Sequence, residues 1–104
     1  MLYRFRTYQD AVEFYHECEN VKCAKHLRDQ LLRASSSVAL NLSEGSAQRT
    51  TTNRIRFYYM AFGSLRESQT ILDLVNAPRD SKVVQLADRV AAQLYKLCRQ
   101  SNPP

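Results

Sequence analysis

The chain has 104 residues, 44% hydrophobic and 24% charged, an ordinary balance for a globular protein with one modest core. Two glycines and three prolines leave too few turns for a β-sandwich. The opening MLYRFRTYQD is polar within its first turn, and the longest apolar run, Phe57–Phe62, is far below the ~20 residues a bilayer requires. No signal peptide and no membrane partner are therefore expected, and a cytoplasmic location is. The net charge of +5 is concentrated: residues 28–66 hold Arg28, Arg33, Arg49, Arg54, Arg56 and Arg66 against Asp29 and Glu44.

Four helical patterns follow one another. The first runs from about Tyr3 to Glu19, with Phe5, Tyr8, Val12 and Tyr15 at the 3/4 spacing of one helix face. After a short link at Asn20–Cys23, the second covers about Ala24–Glu44, and Leu27, Leu31, Ala34, Val38 and Leu42 share one face. Gly45 stands where a C′ glycine with positive φ is expected. A turn follows over Gly45–Thr50, and Thr51 or Thr52 is the expected cap of the third helix.

The third helix reads from about Asn53 to Asn76 and is ended by Pro78. Phe57, Tyr58, Ala61, Phe62, Ser64, Leu65, Ser68, Ile71, Leu72 and Val75 span more than half its circumference, where a small monomeric bundle needs only a stripe. That breadth, with the small residues Ala61, Gly63 and Ser64, predicts packing against a second subunit and hence a homo-oligomer. Asp80 or Ser81 caps the fourth helix, about 81–99, in which Val83, Ala87, Val90, Leu94 and Leu97 form a seam. Residues 100–104 read as a flexible tail. The expected fold is all-α, an antiparallel up-down-up-down four-helix bundle in a single domain over 1–104.

Two polar constellations accompany this pattern. On the second helix, Gln30, Arg33, Ser37, Asn41 and Glu44, with Gln48 if the helix continues, recur at steps of three and four. This stripe borders the apolar face and suits a hydrogen-bond network that fixes helix register or subunit contact. On the third helix, Arg56, Tyr59, Gly63, Arg66 and Thr70 lie within about 80° of one another. Arg49 and Arg54 flank the preceding turn, and no acid occurs between Gly45 and Arg66. Guanidinium groups with an interleaved aromatic suit a nucleic-acid backbone, with Tyr59 available for stacking. The plainer reading is that these arginines solubilise the surface or pair with Glu67 and Asp73.

Catalytic and metal templates find no support. Cys18, Cys23 and Cys98 form no CxxC pair, and with His16 and His26 they give no zinc spacing. Cys18 and Cys98 fall in helical patterns and read as small core hydrophobes. Ser35–Ser37 is a serine run without a nucleophile elbow, and two glycines cannot build a phosphate loop. Glu44 has no histidine or nucleophile in its stripe. A non-enzyme without metal or cofactor is expected.

The run Gln30–Leu31–Leu32–Arg33–Ala34, then Ser37, Asn41–Leu42–Ser43–Glu44–Gly45, Arg49, Phe57, Ala61, Gly63–Ser64–Leu65 and Glu67 resembles the signature of a bacterial four-helix-bundle family encoded in 23S rRNA intervening sequences. The match is strong over the middle third, and the outer helices share only the periodicity. Ser43 replaces a usual alanine, Ser46–Ala47–Gln48 replaces a Tyr-Gly-Arg-like run, and the first link lacks a Phe-Pro entry. The resemblance implies a four-helix subunit in a ring, a pentamer. It also implies RNA or DNA, and a nucleic-acid-processing protein, as partners. Accessory subunits of diversity-generating retroelements are similar in fold and bind nucleic acid and a reverse transcriptase through basic surfaces. Two functions follow as expectations: an oligomeric bundle that grips RNA or DNA without strong base specificity, or an oligomeric scaffold that recruits a protein.

Overall fold

In the computed structural model, which describes residue 2 and residues 5–100, four α-helices follow in order: α1 Arg6–Cys18, α2 Lys25–Ser46, α3 Thr51–Leu74 and α4 Lys82–Gln100. No strand is present among the described residues. The expected helix start at Tyr3 and tail residues 101–104 lie outside them, while Gln100 closes α4 rather than opening a tail.

The helix ends depart from expectation in instructive ways. α2 continues through Gly45 to Ser46, and no glycine among the described residues has positive φ. Gly45 is there for space: a Cβ would stand 2.7 and 2.9 Å from the Tyr58 ring and 3.1 Å from the Phe57 Cβ. The glycine therefore lets α3 close onto α2 rather than ending a helix. Thr50, not Thr51 or Thr52, caps α3; its hydroxyl accepts the Asn53 N–H at 3.2 Å.

At the other end of α3, the residue at positive φ is Asn76, at 58°. Ala77 N–H donates to the Leu72 carbonyl and Asn76 N–H to the Asp73 carbonyl, both at 3.0 Å, which makes a Schellman closure. Pro78 then prevents continuation. Ser81 precedes α4, and its carbonyl accepts the Gln85 N–H at 3.1 Å while its hydroxyl donates back to the Pro78 carbonyl.

Each helix packs against two neighbours, and α2 against α3 is the most extensive pairing. Contacts run in opposite senses along adjacent helices: Ser37 meets Ser64 while Gly45 faces Tyr58, and Asp10 meets Gln93 while Glu13 and Glu17 meet Lys82. The helices are therefore antiparallel, in a body of 43 × 22 × 22 Å. Phe14, Leu31, Val38, Leu42, Leu65, Val90 and Leu94 are fully buried along its axis, each contributing about 1.5–3 kcal/mol.

The buried stripe of α1 is Thr7, Ala11, Phe14 and Cys18, one position round from the expected Phe5, Tyr8, Val12 and Tyr15, which are only partly buried. Thr7, Ala11 and Cys18 share the axis with Phe14, while Phe5, Tyr8 and Tyr15 cover the shoulder. In α4, Leu86 and Cys98 join Val83, Ala87, Val90 and Leu94 in the core, and Leu97 lies at its edge. No helix among the described residues is long and apolar enough to cross a membrane.

Candidate nucleic-acid interface

The polar stripe of α2 divides in two. Asn41 donates through Nδ2 to the Ser37 carbonyl at 2.9 Å and the Ser37 hydroxyl at 3.0 Å, and Ser64 of α3 donates to that hydroxyl at 2.9 Å. This three-residue link, half-buried, sets the register of α2 on α3. Gln30, Arg33 and Glu44 are exposed and take no side-chain part in it. A half-buried Gln48 extends the line only by donating to the Glu44 carbonyl at 3.1 Å.

Ser68, on the broad face expected for the third helix, and Ser35, which the sequence pattern did not single out as core, are both fully buried. Each hydroxyl satisfies itself on its own helix, Ser35 on the Leu32 carbonyl and Ser68 on the Ser64 carbonyl. Their cost of burial is thereby offset locally. Burial pushes the Cys18 thiol up to about 12; a hydrogen bond with Ser35 opposes the shift and the Glu17 charge adds to it. Burial also raises Cys98. Among the described residues no group of three or more His, Cys, Asp and Glu is placed to hold a metal ion.

Charge is distributed unequally around the bundle. On the α1–α4 side, Lys82 lies 2.9 Å from Glu13 and 3.7 Å from Glu17, and Arg89 lies 3.9 Å from Asp10. The Lys82 ammonium holds the Glu13 carboxyl below its ordinary range. On α3 and the turn before it the cations are uncompensated: Arg49, Arg56 and Arg66 are exposed and form no ion pair among the described residues. Neither Arg56 nor Arg66 meets Glu67 or Asp73. Instead, Arg56 lies over the Phe57 ring at 5.3 Å and Arg66 over Phe62 at 5.0 Å, with Arg66 also donating to Gln69 at 2.9 Å. An arginine shelved on an aromatic face keeps N–H donors free at its edge for an anion.

Arg54 has a different duty. It is half-buried and donates through Nη2 to the Gln48 carbonyl at 3.2 Å, bracing the α2–α3 turn that presents Arg49. Tyr59 is 56% exposed and stands between Arg56 and Arg66 on the outward face. Gly63 and Thr70 share that face, and nothing lies within 4 Å of a Cβ built on Gly63.

The structure adds residues of α4 that helix-by-helix reading misses. Tyr95, 50% exposed, and Arg99, whose guanidinium lies 4.4 Å over the Tyr95 ring, face Tyr59 and Phe62 across a depression of about 380 Å³ floored by Cys98. Further along the same α3–α4 groove, about 530 Å³ is lined by Arg66, Gln69, Asp73, Arg79 and Asp88 among others. The sequence signal for the addition is weak: Tyr95 and Arg99 are one turn apart, but only antiparallel pairing brings them opposite Tyr59.

Residues 4–78, more than half of the chain, match the profile of a family described as 23S rRNA-intervening sequence protein. No curated protein and no solved structure matches the chain.

Proposed function

The chain belongs to the 23S rRNA-intervening sequence protein family, and from that premise we propose that it is a non-catalytic, homo-oligomeric bundle that binds RNA or DNA through the outward face of α3. One observation carries the reading: Arg49, Arg56 and Arg66 stand exposed around an exposed Tyr59 with no carboxylate partner among the described residues, whereas Lys82 and Arg89 of α4 are paired with carboxylates of α1. Phosphate is the anion such a surface suits, because forked guanidinium donors match its oxygens. Arg54 contributes by holding the turn. Affinity should be largely independent of sequence, since no base-edge donor pattern accompanies the arginines.

The oligomer is supported by apolar side chains left outside the core. Leu40 is 65% and Met60 49% exposed, and the Ser37–Ser64 register puts both on one stretch of the α2–α3 seam. Gly63 leaves room for a close neighbour. A ring of five copies accords with the family resemblance. The same apolar stretch supports the second reading, a scaffold that engages a protein there.

The double substitution Arg56→Glu/Arg66→Glu tests the nucleic-acid reading. At low salt it should weaken binding to structured RNA by at least tenfold with an unchanged helical circular-dichroism spectrum; unchanged affinity overturns it. Light scattering should return about five times the 12.0 kDa subunit mass, and a 12 kDa particle at micromolar concentration contradicts assembly.

A further inference from the structure

We infer that the α3–α4 groove is a slot for unpaired bases of a single-stranded nucleic acid, stacked on Tyr59 and Tyr95, with phosphates held by Arg66 and Arg99. The inference rests on the nucleic-acid reading above, and adds to it both a substrate form and a second helix. Tyr59 and Tyr95 are half-exposed aromatics on facing helices, and Phe62 and Cys98 form an apolar floor between them. Such a hollow of about 380 Å³ can receive a flat apolar ring. In a duplex the faces of the bases are covered by their neighbours, so only an unstacked strand can offer them.

Charge fixes where along the groove the strand lies. The depression at Tyr59 and Tyr95 has Arg99 in its wall and no carboxylate among its lining residues. The adjoining stretch carries Asp73 and Asp88 beside Arg66 and Arg79, and Asp88 accepts a hydrogen bond from Gln69 at 3.2 Å. The charges of that end cancel, whereas the aromatic end keeps an uncompensated Arg99 to attract phosphates, with Arg66 at the boundary. The Arg99 guanidinium already lies over Tyr95 at 4.4 Å, and a guanidinium can itself be a platform for a base.

The test measures binding of fluorescently labelled 12-nucleotide oligo-U and oligo-A RNA, and of the 12-base-pair duplex they form, to the full chain. Tyr95→Leu and Tyr59→Leu should each weaken single-strand binding about fivefold or more, while Tyr95→Phe and Tyr59→Phe, which keep the ring, stay within twofold of wild type. Duplex affinity should change less than twofold in all four. Single-strand affinity within twofold of wild type for both leucine variants overturns the slot. If Arg56→Glu/Arg66→Glu still weakens both probes in that case, the phosphate-binding reading survives alone. If that double variant also binds both probes normally, both readings fall.

Discussion

The two seams that flank α3 are built on opposite rules. Against α2, α3 is closed: Gly45 removes a side chain so that Tyr58 and Phe57 can sit against the backbone, and Ser37, Asn41 and Ser64 lock the register. Against α4, the outer edge stays open, with aromatic and arginine side chains lining a groove instead of filling it. One helix thus supplies both the tightest joint of the subunit and its most accessible chemical surface. Candidate function lies where packing stops, and the arginines there are distinguished by the aromatic rings they lie against.

Thiol reactivity gives the largest expected effect, and through Cys98 it probes the α3–α4 seam. Cys23, half-buried in the α1–α2 link, should label readily with a thiol reagent, while Cys18 in the core labels only through unfolding, slower by about 1,000-fold or more. Cys98, 3% exposed beneath the groove, should follow Cys18; labelling at the Cys23 rate would show that the α3–α4 seam opens. The pH dependence has a definite sign. The folded Cys18 thiol keeps its proton up to about 12 whereas the unfolded thiol loses it near 9.0, so its contribution is complete below 9 and is lost as pH rises through that window. Cys18→Ala should flatten the alkaline arm of a denaturation series.

Gly45→Ala should destabilise by about 1–3 kcal/mol through overpacking against Tyr58, lowering the melting temperature by about 4–8 °C for each kcal/mol. An unchanged melting temperature would mean that the closed seam can give way. Ser37→Ala removes the acceptor shared by Asn41 and Ser64 and should cost about 0.5–1.5 kcal/mol by denaturant titration. Gly63→Ala has the opposite sign: with nothing near the new methyl, it should stabilise by about 0.5–1 kcal/mol. A fall in stability there, accompanied by dissociation, would identify Gly63 as a contact between subunits.

Much of the fold is legible in the sequence because helical periodicity records burial directly. Leu31, Ala34, Val38 and Leu42 occupy the face their spacing predicts, as do Val83, Ala87, Val90 and Leu94. Errors arise where size matters more than polarity. In α1 the axis takes Thr7 and Ala11 beside Phe14, while Phe5, Tyr8 and Tyr15 are displaced sideways, and Gly45 serves close approach rather than helix termination. Asn76 takes the left-handed position instead, which a general preference for glycine hides. The candidate site was half legible: Arg56, Tyr59 and Arg66 share a face by angle alone, but Tyr95 and Arg99 join them only through tertiary pairing. Arg54 could not be told from its neighbours until its bond to the Gln48 carbonyl was seen.

The central claim is that the unpaired arginines of α3 hold phosphates, and the salt dependence of RNA binding tests it most directly. For a single strand, log K should fall linearly with log salt, and Arg56→Ala/Arg66→Ala should flatten the slope by about 1.4, at about 0.7 for each phosphate no longer neutralised. Substituting Lys82 and Arg89 by glutamine on the paired α1–α4 side should leave the slope as it was. A wild-type affinity indifferent to salt, or a slope that the α3 double variant does not change, would contradict the account.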